Sequence, residues 1–172
     1  VDDEERLPAL AGGLPEDAAR RLVGPRADYY LVRWAWIERS GRSVGFNWAA
    51  FFIGPFWMLY RRMYRTFGWV LAALILSVVL EIVAARLLGV AELPRVVERG
   101  INLGAGIVIG LYGSYWYFLE VRRRYDRIRA RDGFTAADFD RVGGVSGGAA
   151  ILGVVVVALL FLVSMTLQTR VG

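Results

Sequence analysis

FNWAAFFIGPFWMLYRRMY, residues 46–64, decides how this chain is arranged, because it is greasy enough for a membrane yet too short to cross one. Its uncharged part, residues 46–60, would extend about 22 Å as an α-helix, against roughly 30 Å of hydrocarbon in a bilayer. Seven of those 15 residues are Phe, Trp or Tyr, and aromatic rings favour the membrane–water interface over its centre. Pro55 removes a backbone donor near the middle, and the residue before a proline is pushed out of helical geometry, here Gly54. The expectation is a broken helix that dips into the cytoplasmic leaflet and returns, with a kinked full span as the alternative.

Charge separates the two. A crossing at residues 46–60 would place Arg20, Arg21, Arg26, Arg33, Arg39 and Arg42 outside, against the tendency of basic residues to stay in the cytoplasm. A re-entrant segment keeps them inside together with Arg61, Arg62 and Arg65. The loop 91–100 then lies outside, with Arg95 and Arg99 balanced by Glu92 and Glu98, and the basic stretch VRRRYDRIRAR (121–131) lies inside.

Three longer apolar runs, residues 67–90, 101–119 and 149–167, approach or match the roughly 20 residues a helical span needs. The predicted fold class is an all-α integral membrane protein: three transmembrane helices, the aromatic re-entrant or interfacial broken helix, and short cytoplasmic helices. Residues 1–45 form a cytoplasmic N-terminal segment with short amphipathic helices, 46–65 the aromatic segment, and 66–172 the three-helix region with a basic cytoplasmic loop at 120–146. The N-terminus is cytoplasmic and the C-terminus periplasmic. The acidic start VDDEER does not resemble a signal peptide, so insertion is expected to rely on the internal spans.

Around the spans, LPEDAARRLVG (14–24) predicts a helix with Pro15 at its first position, Glu16 and Asp17 at its positive end and Gly24 as its stop. Asp28 is expected to cap a helix over residues 29–39, stopped by Gly41, with Tyr30, Leu31, Trp34 and Ile37 on one face. That face suits either the headgroup region or the protein's own cytoplasmic domain. Thr135 and Asp138 have capping-box spacing, with Gly143 ending the helix. GGVSGG (143–148) reads as a flexible lead-in to the last span, with Gly148 and Gly153 aiding close packing; it lacks the Lys and the preceding strand of a phosphate-binding loop.

The chain has neither Cys nor His. That excludes disulfides, thiolate nucleophiles, Cys/His zinc sites, Ser-His-Asp triads and His-ligated haem. All 21 basic residues are Arg and the net charge is +5, which suits anionic headgroups; the membrane spans argue against nucleic acid. The acidic run DDEE (2–5) reads as a solvated tail before a metal site. No metal, cofactor or catalytic residue is expected, and the chain is expected not to be an enzyme.

Three features could carry function. Glu81 sits deep in the first span and five residues from Arg86, about 140° apart on a helix, so the two do not pair. It needs a partner on another helix or a proton, and Ser114 and Asn102 are candidates for a shared intramembrane polar site; a neutral packing role is the alternative. Asn102, Gly106, Gly110 and Ser114 recur every four residues, a stripe of small side chains that lets helices approach closely. Its expected use is packing inside the bundle, against Glu81 through Ser114 or a Tyr, or self-association, or docking to a partner. Arg122, Arg123, Arg124, Arg127, Arg129 and Arg131 offer contacts for anionic lipid, or simply anchor the topology. Their helix is expected to continue unbroken out of the membrane, a rod of roughly 45 Å.

The aromatic block, preceded by GPRADYYLVRW and followed by GLYGSYWYFLEVRRRYDRI, resembles the domain of unknown function 2628 family. The resemblance rests on Trp48, Phe51, Phe52, Pro55, Trp57, Tyr60, Arg61, Met63 and Tyr64, and more weakly on Gly110, Tyr112, Gly113 and Tyr115. It implies a small multi-pass protein of the bacterial inner membrane and no established chemistry; the Cys-rich zinc ribbon of some members is missing here. The functional expectation is an accessory or scaffold subunit of a larger membrane assembly. A small oligomeric transporter or ion or proton pathway using Glu81, and an organiser of anionic lipid, stand as alternatives. The expected partners are membrane lipids and a membrane protein or a second copy of the chain.

Overall fold

The computed structural model describes residues 13–41, 45–91 and 94–171; the acidic run 2–5, Arg42 and Glu92 lie outside them. The described residues form seven helices and no strand: α1 (Glu16–Val23), α2 (Ala27–Ser40), α3 (Trp48–Tyr60), α4 (Tyr64–Leu87), α5 (Arg95–Arg129), α6 (Ala136–Val142) and α7 (Gly147–Val171).

The spine is α5, 35 residues without interruption and about 52 Å long at 1.5 Å per residue. The predicted rod is therefore real, and it starts at Arg95 rather than after a loop reaching residue 100. Against it lies α3, broken as its sequence predicts: Gly54 has φ 21° and ψ −103° inside the helix, directly before Pro55. The course of α3 along α5 is a dip and a return. Asn47 meets Ser114, Phe51 lies over Gly106 and Gly110, and Gly54 faces Ile109. Trp57 then returns to Gly113, and the Arg61 carbonyl reaches Arg124. Both ends of α3 thus lie toward the C-terminal, arginine-rich part of α5, with Phe51 reaching farthest from it, to Gly106, and the break following opposite Ile109.

Small residues on α5 permit this approach. A Cβ added at Gly110 would lie 3.0 Å from the Phe51 Cβ, and one at Gly113 would lie 2.9 Å from the Ala50 Cβ. The lead-in to α3 even pairs with α5 backbone, Gly45 N–H donating to Leu111 O (3.1 Å) and Asn47 N–H to Gly110 O (2.8 Å). The Asn47 side chain caps α3, accepting from Ala50 N–H at 3.1 Å.

Three short helices surround the C-terminal half of α5. On α2 the Tyr30, Leu31, Trp34 and Ile37 face is buried, with Trp34 Nε1–H donating to Ser114 O at 3.1 Å. Of the two environments open to that face, the protein's own core is the one it occupies; Tyr29, Val32 and Trp36 remain exposed. Two caps differ from expectation. Pro15 is the extended N-cap of α1 rather than its first helical residue. Asp28 lies inside the first turn of α2 and accepts from Arg20 Nη1 at 2.5 Å instead of capping, because Arg26 in the left-handed region (φ 66°) starts the helix earlier. On α6 the capping box forms: the Asp138 carboxylate accepts from Thr135 N–H at 2.9 Å and from its hydroxyl at 3.0 Å. These bonds, the backbone one foremost, hold its carboxyl below the ordinary range.

The lead-in to α7 is anchored, not loose. Gly144 N–H donates to Leu22 O (3.0 Å) and Ser146 N–H to Tyr60 O (2.8 Å), while Arg21 pairs with Asp140 at 2.8 Å. Gly153 packs against Leu59 and Phe56, whereas Gly148 faces open space.

Two stretches, α4 and Ala136–Leu162, the latter running from α6 into α7, are long and apolar enough to cross a membrane, and the most apolar 18-residue window of each has no buried residue. Both pack on α3. The third expected span, residues 101–119, does not reach that standard as part of α5. Its glycines, Asn102 and tyrosines dilute its apolar character, and one of its faces is spent on α3.

Gly143 is the tightest of these contacts: a Cβ there would sit 2.4 Å from Arg21 O and 2.7 Å from Leu22 Cα. Gly143→Ala should therefore destabilise the protein by about 1–3 kcal/mol, read as a lowered melting temperature in detergent, whereas Gly148→Ala should leave it unchanged.

Candidate functional site

The largest concentration of buried polar groups lies where α3 ends. Arg61 follows the last turn of α3, its N–H donating to Trp57 O at 2.9 Å. Arg62 adopts φ 57° and Met63 N–H reaches back to Met58 O at 2.8 Å, so the chain turns sharply into α4. The turn drives the Arg61 side chain inward, where it is only 3% exposed. Its Nη1 donates to Val23 O (3.3 Å) and Pro25 O (3.1 Å), at the negative end of α1. The guanidinium lies 4.6 Å from the Tyr30 ring, 5.4 Å from Tyr117 and 5.6 Å from Tyr60, a desolvated cation surrounded by π faces.

A second guanidinium completes the cluster. Arg124 is 5% exposed; its Nη2 donates to the carbonyls of Arg61 (3.3 Å) and Arg62. Its Nε is 3.8 Å from Glu120, itself 7% exposed. Burial pulls the Arg124 guanidinium below its usual range, and the Glu120 charge opposes that shift. Arg61 Nε, Tyr117 Oη, Glu120 Oε2 and Arg124 Nη1 have no hydrogen-bond partner. The arrangement joins α1, α2, α3 and α5 through charge-assisted bonds to backbone carbonyls. It contains no nucleophile with an adjacent base, and its one carboxylate stands between arginines, so its chemistry is that of a clamp.

The sequence-derived sites fare differently. In the aromatic block, Trp57, Arg61 and Met63 are buried, Phe51, Pro55 and Tyr60 are half-buried, and Trp48, Phe52 and Tyr64 are exposed. The block is thus partly core and partly outward surface. Gly106, Gly110 and Ser114 do line a packing face, and α3 occupies it. The grouping of Glu81, Ser114 and Asn102 does not form: Ser114 Oγ accepts from Asn47 Nδ2 at 3.2 Å, Asn102 is exposed, and Glu81 on α4 makes no hydrogen bond or ion pair with a described residue. Asn47, the N-cap of α3, takes the place beside Ser114. Of the six arginines assigned to lipid, Arg122, Arg123, Arg127, Arg129 and Arg131 are exposed, while Arg124 is turned into the core. Among the described residues no group of His, Cys, Asp and Glu could hold a metal ion.

Sequence reasoning missed the clamp. Tyr117, Glu120 and Arg124 are spaced three and four apart, one face of a helix; that periodicity was the available signal, masked by the five other arginines around it. Asn47 at the head of an apolar run was the signal for the α3 cap.

Arg61→Met should cost about 2–4 kcal/mol, since it strands the buried Val23 carbonyl and removes the bond to Pro25 O. Tyr117→Phe should stay within about 0.5 kcal/mol of the parent, because the hydroxyl it removes has no partner. Urea or thermal denaturation in detergent reads both.

A family model described as "Protein of unknown function (DUF2628)" matches residues 18–123. That span runs from α1 to the arginine-rich part of α5, taking in α3 and Arg61, and stops short of Arg124, α6 and α7. No curated protein and no solved structure matches the chain. With more than half of its length matched, the chain belongs to the DUF2628 family.

Proposed function

We propose that this chain is a non-enzymatic, three-span protein of the bacterial inner membrane that serves as an accessory or scaffold subunit of a larger membrane assembly. In this reading α4, the first part of α5 and α7 cross the bilayer, α3 is re-entrant from the cytoplasmic side, and α1, α2 and α6 form a cytoplasmic cap. The N-terminus is inside and the C-terminus outside. The dip of α3 along α5 supports the re-entrant assignment, and the exposed arginines at the same end support the orientation.

The observation that carries the scaffold role is Glu81. It lies on a helix with none of its apolar stretch buried, and no described residue bonds to it. A carboxyl group in hydrocarbon costs about 3 kcal/mol unless it finds a donor, so the donor is supplied by another membrane chain. The stripe on α5 is already filled by α3, which leaves the outward faces of α4 and α7 as the docking surface. An oligomeric pathway for ions or protons is the second reading that Glu81 permits, with the neighbouring copy as the donor.

Glu81→Leu should abolish co-purification of a partner protein, or of a second copy, from native membranes in mild detergent, while leaving the melting temperature of the isolated chain unchanged. A parent protein that elutes as a lone monomer under those conditions would refute the scaffold reading. Proton flux in liposomes that Glu81→Gln removes would favour the pathway instead.

A further inference from the structure

The N-terminal part of α4 packs on α3 and stands across a groove from the middle of α5. The groove, of about 480 Å³, is lined by Thr66, Trp69, Val70, Ala73, Trp116 and Leu119, with Arg123 at its edge. The walls are apolar and the edge is cationic. Arg123 is half-exposed; its Nη1 is 3.8 Å from Glu120 Oε2, too long for a hydrogen bond, and that carboxylate is shared with Arg124. Arg122 and Arg127 add exposed positive charge to the same end of α5. Trp69, 74% exposed, and the half-buried Trp116 stand on the two sides, the ring type that settles at headgroup depth.

We infer that this groove holds one anionic phospholipid from the cytoplasmic leaflet, its phosphodiester beside Arg123 and Thr66 and an acyl chain along Val70, Ala73 and Leu119. The inference rests on the membrane-embedded reading of α4 and α5, and charge selects the occupant. An apolar helix from a partner would leave Arg123 facing hydrocarbon, whereas a phosphodiester pairs with it and its chain covers the walls. A zwitterionic lipid fits the walls equally but gains less at the edge, since its cationic headgroup offsets the phosphate. Arg123 is therefore a specificity residue, distinct from the exposed arginines that only lie near the surface.

Native mass spectrometry of the detergent-purified chain, incubated with equimolar phosphatidylglycerol and phosphatidylcholine of the same acyl chains, tests this. The parent protein should retain phosphatidylglycerol preferentially; Arg123→Gln should cut that preference about five-fold, Arg123→Lys should keep most of it, and Arg127→Gln should leave it intact. Equal retention of the two lipids by the parent, or equal losses for Arg123→Gln and Arg127→Gln, would overturn the inference. Melting temperatures of the variants separate lost binding from lost folding. A protein soluble without detergent would sink the membrane reading itself, whereas a detergent-dependent protein with no lipid preference would sink only the groove.

Discussion

The close approach of α3 to α5 is the contact on which the rest of the structure depends. It requires two things at once: a face of α5 without side-chain bulk, and a segment that stops being helical at the right point. Gly106, Gly110 and Gly113 supply the first, bringing the Phe51 and Ala50 side chains to van der Waals distance of the helix. The Gly54–Pro55 step supplies the second, opposite Ile109. A straight α3 would carry Arg61 away from the end of α1 and separate it from Tyr30 and Tyr117. The broken one returns it there, where Val23 and Pro25 offer carbonyls to a cation with no water around it. In turn, α4 and α7 pack chiefly on α3, so their placement follows from the same contact.

Much of this was legible in the residues. The break at Gly54–Pro55, the unbroken continuation of α5 into its arginines and the α6 capping box follow from local rules that do not need tertiary context. The four-residue spacing of Gly106, Gly110 and Ser114 points to a packing face, and α3 with its N-cap lies against those residues. It could not identify the partner, because periodicity specifies a direction on a helix and not what stands there. Arg124 shows the opposite failure. Within six arginines its composition says surface, and only its spacing from Tyr117 and Glu120 says core. Residues 101–119 look like a span when charges alone are counted, yet glycine and tyrosine dilute their apolar character and one face of the helix serves contacts with α3.

The distribution of polarity also explains how the fold is held together. Its buried ionic groups are consumed in holding helices together: Arg61 on α1 carbonyls, Arg124 on the turn after α3, Glu120 between arginines. The apolar lengths of α4 and α7 and the groove edged by Arg123 face outward, whereas Glu81 is half-buried on α4.

The re-entrant course of α3 is the most direct point at which to challenge this account, and a chain without native cysteine makes the measurement clean. Single cysteines replacing the exposed Arg39, Arg65, Arg95 and Arg129 would be exposed in turn to a membrane-impermeant maleimide from each side of sealed vesicles. Residues 39, 65 and 129 should react from the cytoplasmic side and residue 95 from the opposite side. Labelling of residues 39 and 65 from opposite sides would mean that the aromatic segment crosses the bilayer, and the account would be wrong.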